Sequence, residues 1–362
     1  MTQRPNIIFI VADDLGFADL GCYGGRDAKF GPVSPVLDGL AANGLRLTEG
    51  YSNSPVCSPT RFAMMTARYQ YRLRGAAEEP INSRSKGSTT LGLPPEHPSL
   101  PSLLKASGYR TALIGKWHLG YPPSFSPLKS GYEEFYGPMA GGVDYFSHCS
   151  GNGTHDLYNG EEEHPEEGYL TDLLSKRAVD YVERMAPGAA QDTPFFLSLH
   201  YTAPHWPWET REDHALAEEV KSNLFHLHGG NIHTYHRMIH HMDEGIGWLM
   251  QALERTGQLD NTLVVFTSDN GGERFSDNWP LVGGKMDLTE GGIRVPWIAH
   301  WPAVIAPGGV SQQHCMTMDW SATMLELGGA TPDAQYPLDG VSLTSVLRDA
   351  SHQFDRPLHW RM

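Results

Sequence analysis

Asn6-Ile7-Ile8-Phe9-Ile10-Val11-Ala12 runs without a polar break after its first residue and stops at Asp13-Asp14. A β-branched and aromatic run of this kind has no side fit for water, so it predicts a strand covered on both faces of a sheet. Thr262-Leu263-Val264-Val265-Phe266-Thr267-Ser268 repeats the pattern and stops at Asp269-Asn270-Gly271-Gly272. Residues 194–201, 109–114 and 295–299 supply three further runs. Between them, 37–44, 99–108, 168–185, 235–256 and 319–327 carry apolar residues at helical spacing or close on glycine. Strands alternating with helices predict an α/β fold, a large mostly parallel sheet sandwiched by helices. In such sheets ligands collect beyond the carboxyl ends of the strands, where Asp13, Asp14, Asp269 and Asn270 lie in this reading.

The rest of the composition excludes several partners. The chain has 362 residues and a formal net charge of -15, from 27 Lys and Arg against 42 Asp and Glu. Its basic residues are scattered, which argues against a nucleic-acid backbone or an anionic membrane as the main partner. Cys22, Cys57, Cys149 and Cys315 are far apart with no CxxC pair, so neither a zinc ribbon nor a disulfide framework is expected. No apolar run reaches bilayer length, and MTQRPNIIFIVADD lacks signal-peptide anatomy. The expectation is a cytoplasmic protein, or a periplasmic one if a leader has been removed.

Four oxygen donors at one sheet edge suit a hard cation, Ca²⁺ or Mg²⁺, although each Asp or Asn is equally suited to capping a helix or forming a turn. Cys57 lies between Pro55 and Pro59 at the mouth of a helix, with Arg61 one turn on. A helix amino terminus favours a thiolate or an oxyanion, and a cysteine there also serves as a small buried apolar residue. Lys116 and His118 in GKWHLG, His205 in APHWP and Lys285 in GGK add cations and proton carriers after other strands. A metal, two lysines, two histidines and an arginine fit a tetrahedral oxyanion ester. His236 and His240 are spaced as a zinc pair would be, but no glutamate lies between them, so a solvated helix face is expected. The Gly-, Pro- and Ser-rich stretches 75–98 and 121–168 read as long excursions over the ligand edge. Tyr145, Phe146, Trp206 and Trp208 are placed either to stack on a ring or simply to pack. The closing residues, PLHWRM, read as the opening of a strand.

CSPTR, residues 57–61, matches the Cys-x-Pro-x-Arg signature of the type I sulfatases. NIIFIVADDLGFADLGCYGG resembles that family's amino-terminal metal motif, GKWHLG and APHWP its lysine-histidine and histidine motifs, SDNGG its second metal motif, and GGK with EGGIRVP its second lysine. They occur in the family's order from Asn6 to Pro296. The resemblance implies the alkaline phosphatase superfamily fold, a catalytic domain over residues 1–330, and in 331–362 a linker and the start of a truncated carboxyl-terminal subdomain. It implies a sulfatase acting on an aryl or carbohydrate sulfate ester. It further implies one Ca²⁺, with Mg²⁺ as the other choice, on Asp13, Asp14, Asp269, Asn270 and the side chain at 57. A formylglycine-generating enzyme would oxidise Cys57 to formylglycine, whose hydrate attacks sulfur. Arg61 would hold that hydrate, Lys116 and Lys285 would bind sulfate oxygens, and His118 and His205 would handle protons. Two other readings use the same residues: a phosphonate or phosphate ester hydrolase of the superfamily, and a calcium-binding, non-catalytic homologue with an unmodified Cys57.

Overall fold

Hydrophobic strands with no polar face need cover on both sides, and the fold provides it. The computed structural model describes residues 4–25, 31–73, 80–82, 85–188, 193–220 and 229–361. Its strands are β1 (Asn6–Ala12), β2 (Leu45–Leu47), β3 (Gly50–Tyr51), β4 (Arg110–Gly115), β5 (Glu134–Pro138), β6 (Leu157–Asn159), β7 (Glu162–Glu163), β8 (Phe195–His200), β9 (Thr262–Ser268), β10 (Trp297–His300), β11 (Gly309–Ser311) and β12 (Cys315–Met316). Among the described residues, ten of these form one sheet in the order β11-β2-β10-β9-β1-β8-β4-β5-β6-β7, while β3 and β12 pair separately. The centre, β9-β1-β8-β4-β5, is parallel. The run at 295–299 becomes β10, antiparallel to both neighbours.

The period-two alternation of β1 divides its side chains between two cores. Ile8, Ile10 and Ala12 enter one; Ile7, Phe9 and Val11 enter the other. The first core is closed by the helices Leu170–Arg184 and Ile232–Arg255, whose Leu174, Met238, Met242 and Leu249 are fully buried. The second is closed by Cys57–Thr66 and Thr317–Leu327, through Phe62, Met64, Trp320 and Met324. Each such side chain contributes about 1.5–3 kcal/mol on burial. All ten residues of the Cys57–Thr66 helix are buried, which leaves it no freedom to slide, and Ser321 Oγ donates to Met64 O at 2.6 Å. Among the described residues, no helix is long and apolar enough to cross a membrane.

Two expectations change. The 121–168 excursion carries β5, β6 and β7, which extend the sheet beyond β4; its Gly and Pro content hid strands that are short. Of the other excursion, residues 75–79 and 83–84 lie outside the described residues. The PLHWRM end forms no strand: residues 351–361 have no regular structure and are held by side chains instead. There Arg356 Nη2 meets buried Asp319 at 2.7 Å, and Trp360 Nε1 donates to Ser52 O at 2.8 Å. Leu343, Val346 and Leu347 join the second core.

Candidate active site

Strand register decides which residues meet. Ala12 pairs with Ser268, Val11 with His200, and His200 with Gly115, so the chain leaves β1, β9, β8 and β4 at one level. The next residues are Asp13, Asp269, Tyr201 and Lys116. Asp13, Asp14, Cys57 and Asp269 are all buried, and each offers a ligand atom within 4.8 Å of the others. Cys57 Sγ lies 3.4 Å from Asp13 Oδ1 and 3.9 Å from Asp14 Oδ1. Asn270 Nδ2 donates to Asp14 Oδ1 at 2.8 Å, and its buried Oδ1 has no protein partner. Three carboxylates, a sulfur and an orphaned amide oxygen make a donor set for a hard cation, and they fit the metal the sequence implied.

Cations surround this cluster. Lys116 Nζ is 2.6 Å from Asp13 Oδ2, with both side chains fully buried. Lys285 Nζ is 2.7 Å from Asp14 Oδ2 and 3.6 Å from Glu273 Oε2. Arg61 Nε donates to Asp269 Oδ2 at 3.0 Å; its Nη2 lies 2.9 Å from the same oxygen, too poorly aligned to count as a second bond. Arg61 Nη1 donates to Lys116 O at 3.0 Å. Burial pulls the Asp14 pKa up, but Lys285, then His205 and Lys116, outweigh it and hold the carboxyl below its ordinary range. Asp269 goes the other way, up to about 6, because burial and the neighbouring Asp13 exceed the help from Arg61. Burial, then Asp269, raises the Cys57 thiol well above its ordinary value. Cys57 is therefore a neutral thiol here, not the thiolate a helix amino terminus favours, because desolvation among acids dominates the dipole. Val56, its N-cap residue, makes no side-chain cap bond.

The two histidines are held as opposite tautomers by their hydrogen bonds. His118 Nε2 lies 2.5 Å from Ile81 O, so Nε2 carries the hydrogen, and the buried Nδ1 has no protein partner. His205 Nδ1 lies 2.6 Å from Trp206 O, so that nitrogen is the donor, and Nε2 faces Asp14 Oδ2 at 3.6 Å. Burial, reinforced by Lys285, lowers the His205 pKa to about 3; burial and Lys116 lower that of His118 well below the ordinary value. Both rings are walled by Gly141-Gly142 from the 121–168 segment. A Cβ at Gly141 would fall 2.5 Å from His118 Cε1, and one at Gly142 would fall 2.9 Å from His205 Cε1. Asp14 and His118 have φ of 65° and 58°, a left-handed backbone that packing enforces at both positions.

All ten residues singled out from sequence thus converge on one buried site. Three structural partners were not foreseen. Asp19 accepts from Gly16 N, Asp277 N and Tyr235 Oη at 2.6–2.8 Å, tying the Asp14 loop to a distant loop and to the Ile232–Arg255 helix. His200 Nδ1 lies 3.4 Å from Arg61 Nη1, and Glu273 lies beside Lys285. Only the DD-x₄-D spacing of Asp13, Asp14 and Asp19 hinted at any of them. The ring-stacking alternative is settled for Tyr145 and Trp208, both buried; Tyr145 Oη donates to Thr202 O and His205 O at 2.9 Å. The histidine-rich helix is corrected in part. His240 is at the surface, 3.8 Å from Glu244, but His236 is buried because it falls on the inward stripe. His226 and His228 lie outside the described residues.

A buried donor set suited to a cation at the carboxyl edge of a parallel sheet, flanked by two lysines and two histidines, fits a hydrolytic centre for a tetrahedral anionic ester. Residues 5–330 match the family model described as Sulfatase, and the chain belongs to the sulfatase family. It is 33% identical to human N-acetylgalactosamine-6-sulfatase over 99% of this chain and 68% of that protein. It is also 33% identical to human arylsulfatase A, over 96% and 68%. The crystal structure of Ps i-CgsB in complex with k-i-k-neocarrahexaose is similar at a TM-score of 0.82 and 34% identity, covering 95% of this chain and 76% of that one. The chain is accordingly a sulfuric ester hydrolase.

Proposed function

We propose that this sulfatase acts on carbohydrate sulfate monoesters through a formylglycine made from Cys57 by a formylglycine-generating enzyme, with one Ca²⁺ on Asp13, Asp14, Asp269, Asn270 and residue 57. The observation that carries it is the position of Cys57 Sγ, buried at a helix start within 3.9 Å of two of the four other ligand residues. The oxygen-only donors apart from residue 57 favour Ca²⁺ or Mg²⁺ over softer ions, and the aspartate-rich set favours Ca²⁺. When bound, the cation supplies charge neutralisation for the ester oxygens and the formylglycine hydrate supplies an oxygen nucleophile.

The chain's own residues do the rest. Lys285, held protonated by Asp14 against the pull of burial, carries an ammonium that binds an ester oxygen and can donate a proton to the departing alcohol. Lys116, fully buried, adds a second fixed positive charge and needs no reorganisation to meet the anion. His118 Nδ1 and His205 Nε2 are the ring nitrogens left without a hydrogen, so each is set to accept a proton. His205, whose Nε2 carries no hydrogen, serves as leaving-group acid only after it has taken a proton, so Lys285 is the group that already holds one to give. Arg61 orients Asp269 and the Lys116 carbonyl from below. The carbohydrate preference rests on the names of the similar proteins, N-acetylgalactosamine-6-sulfatase and the neocarrahexaose complex.

Mass spectrometry of the Cys57 peptide from the native cell is the direct test. Loss of the thiol mass in favour of the aldehyde or its hydrate, together with loss of sulfate release in Cys57→Ala, is the expected result. An unmodified thiol in protein that releases sulfate would remove the nucleophile from this account.

A further inference from the structure

The segment that delivers Lys285 also exposes more apolar side chain than any other described part of the chain. Trp279 is 76% exposed, Val282 74%, Met286 53% and Leu288 45%. Four of the seven large exposed hydrophobic residues among the described residues therefore lie within 279–288, on both sides of a catalytic lysine. Scattered single apolar residues are ordinary at a surface, but a local group beside a site calls for an occupant.

This stretch is tied down rather than loose. Asn278 Oδ1 accepts from Gly272 N at 3.1 Å, and its Nδ2 donates to Gly272 O and Gly283 O at 3.2 Å. Gly272 is two residues past Asn270. Ala18 N donates to Asp277 O at 2.8 Å, and Asp277 N to Asp19 Oδ1 at 2.8 Å, which fastens the same turn to the loop of Asp13 and Asp14. Met286 N donates to Pro55 O at 3.0 Å, two residues before Cys57. Trp279 thus projects from a turn clamped to both aspartate loops and to the Cys57 segment. An exposed indole on an immobile backbone has little conformational entropy to lose on binding.

We propose that Trp279 is a sugar platform, on which the ring next to the sulfated residue of a carbohydrate chain stacks while its ester group occupies the Lys116–Lys285 site. An indole face offers a flat apolar area that matches the C–H face of a pyranose, and its edge tolerates water. Glu273, 40% exposed in its side chain and next to Lys285, provides a carboxylate able to accept from a ring hydroxyl. The patch flanks Lys285 in sequence and its turn is hydrogen-bonded to the loops of Asp14 and Asn270, which distinguishes it from a remote docking face. The similarity to a protein crystallised with a neocarrahexaose favours a carbohydrate as the occupant. This rests on the carbohydrate sulfatase reading above and specifies where that substrate extends.

Binding and turnover separate the two ideas. In a Cys57→Ala background, which needs no formylglycine, calorimetry with sulfated neocarrahexaose and with a chondroitin 6-sulfate hexasaccharide is expected to give a measurable Kd for at least one. Adding Trp279→Ala should weaken that Kd at least fivefold, and Trp279→Phe should restore most of it. In the Cys57-bearing enzyme, Trp279→Ala should raise KM for the hexasaccharide more than for the matching sulfated monosaccharide. An unchanged Kd in Trp279→Ala, or no binding of either hexasaccharide, overturns the platform. A change of sedimentation coefficient in place of a change of Kd would show that a second copy covers the patch, and would also overturn it. If binding depends on Trp279 but no sulfate is released by the Cys57 enzyme, the platform stands and the catalytic account fails.

Discussion

Arg61 and Asp269 form a fully buried ion pair, with Nε 3.0 Å from Oδ2 and both side chains at or below 1% exposure. The guanidinium comes from the Cys57–Thr66 helix and the carboxylate from the end of β9, so the pair joins the residue proposed as nucleophile to the proposed metal loop. Taking charges out of water is costly, and removing one partner leaves the other uncompensated.

Arg61→Ala should therefore destabilise the fold by about 3–5 kcal/mol as well as abolish sulfate release. Urea unfolding followed by circular dichroism measures the first effect. Loss of activity with an unchanged unfolding midpoint would mean that Arg61 serves the substrate alone and does not support Asp269.

Added Ca²⁺ should raise the unfolding temperature, because the folded state alone assembles the donors. At a hundredfold excess over Kd the gain is about 2.7 kcal/mol. Chelation with EGTA should reverse it and remove activity, and the Asp14→Asn, Asp269→Asn double variant should show no calcium-dependent shift. A Ca²⁺-dependent shift that survives in that variant would place the ion elsewhere.

Glu209 is 1% exposed and packs against the equally buried Asp144; Tyr145 N donates to Glu209 Oε2 at 3.3 Å. Burial, then Asp144, pushes its pKa up to about 9 from the ordinary 4.5. The folded chain thus keeps a proton that the unfolded chain releases. Stability from this group is complete below about pH 4.5 and declines as pH rises to about 9, at up to about 1.4 kcal/mol per pH unit. Glu209→Gln keeps a neutral hydrogen-bonding group and should flatten the decline. Thermal unfolding between pH 6 and pH 9 checks this: equal slopes in wild type and variant would show that Glu209 is already ionised in the fold.

Gly141→Ala places a methyl carbon 2.5 Å from the His118 ring. The same methyl would lie 2.6 Å from Nε2, the atom that bonds Ile81 O, so the histidine must rotate and lose that bond or the 121–168 wall must move. A fall in kcat of tenfold or more is expected, with little change in unfolding temperature. Retained kcat would mean that His118 is not needed in its observed pose.

The candidate site motifs were legible because each is local: an aspartate pair at a strand end, a cysteine before a helix, a histidine in the loop after a strand. β1 and β9 were legible to the residue for a similar reason, since an unbroken apolar run admits few other conformations. What the linear pattern left open arises from contacts between segments far apart in sequence. Asp19 and Asn278 look like turn formers until they are seen holding three loops together. β5, β6 and β7 were hidden among Gly and Pro because short edge strands depend on pairing more than on propensity. The protonation of the site was equally invisible. Cys57 by position alone suggests a thiolate, but burial among Asp13, Asp14 and Asp269 makes it a neutral thiol. By itself the sequence determined the family, the sheet's central strands and the identity of the ten residues that meet. Only the tertiary structure decided their charge states, the histidine tautomers and the exposure of Trp279. Those depend on which groups lose water and which partners replace it, and neither is encoded in any single stretch of chain.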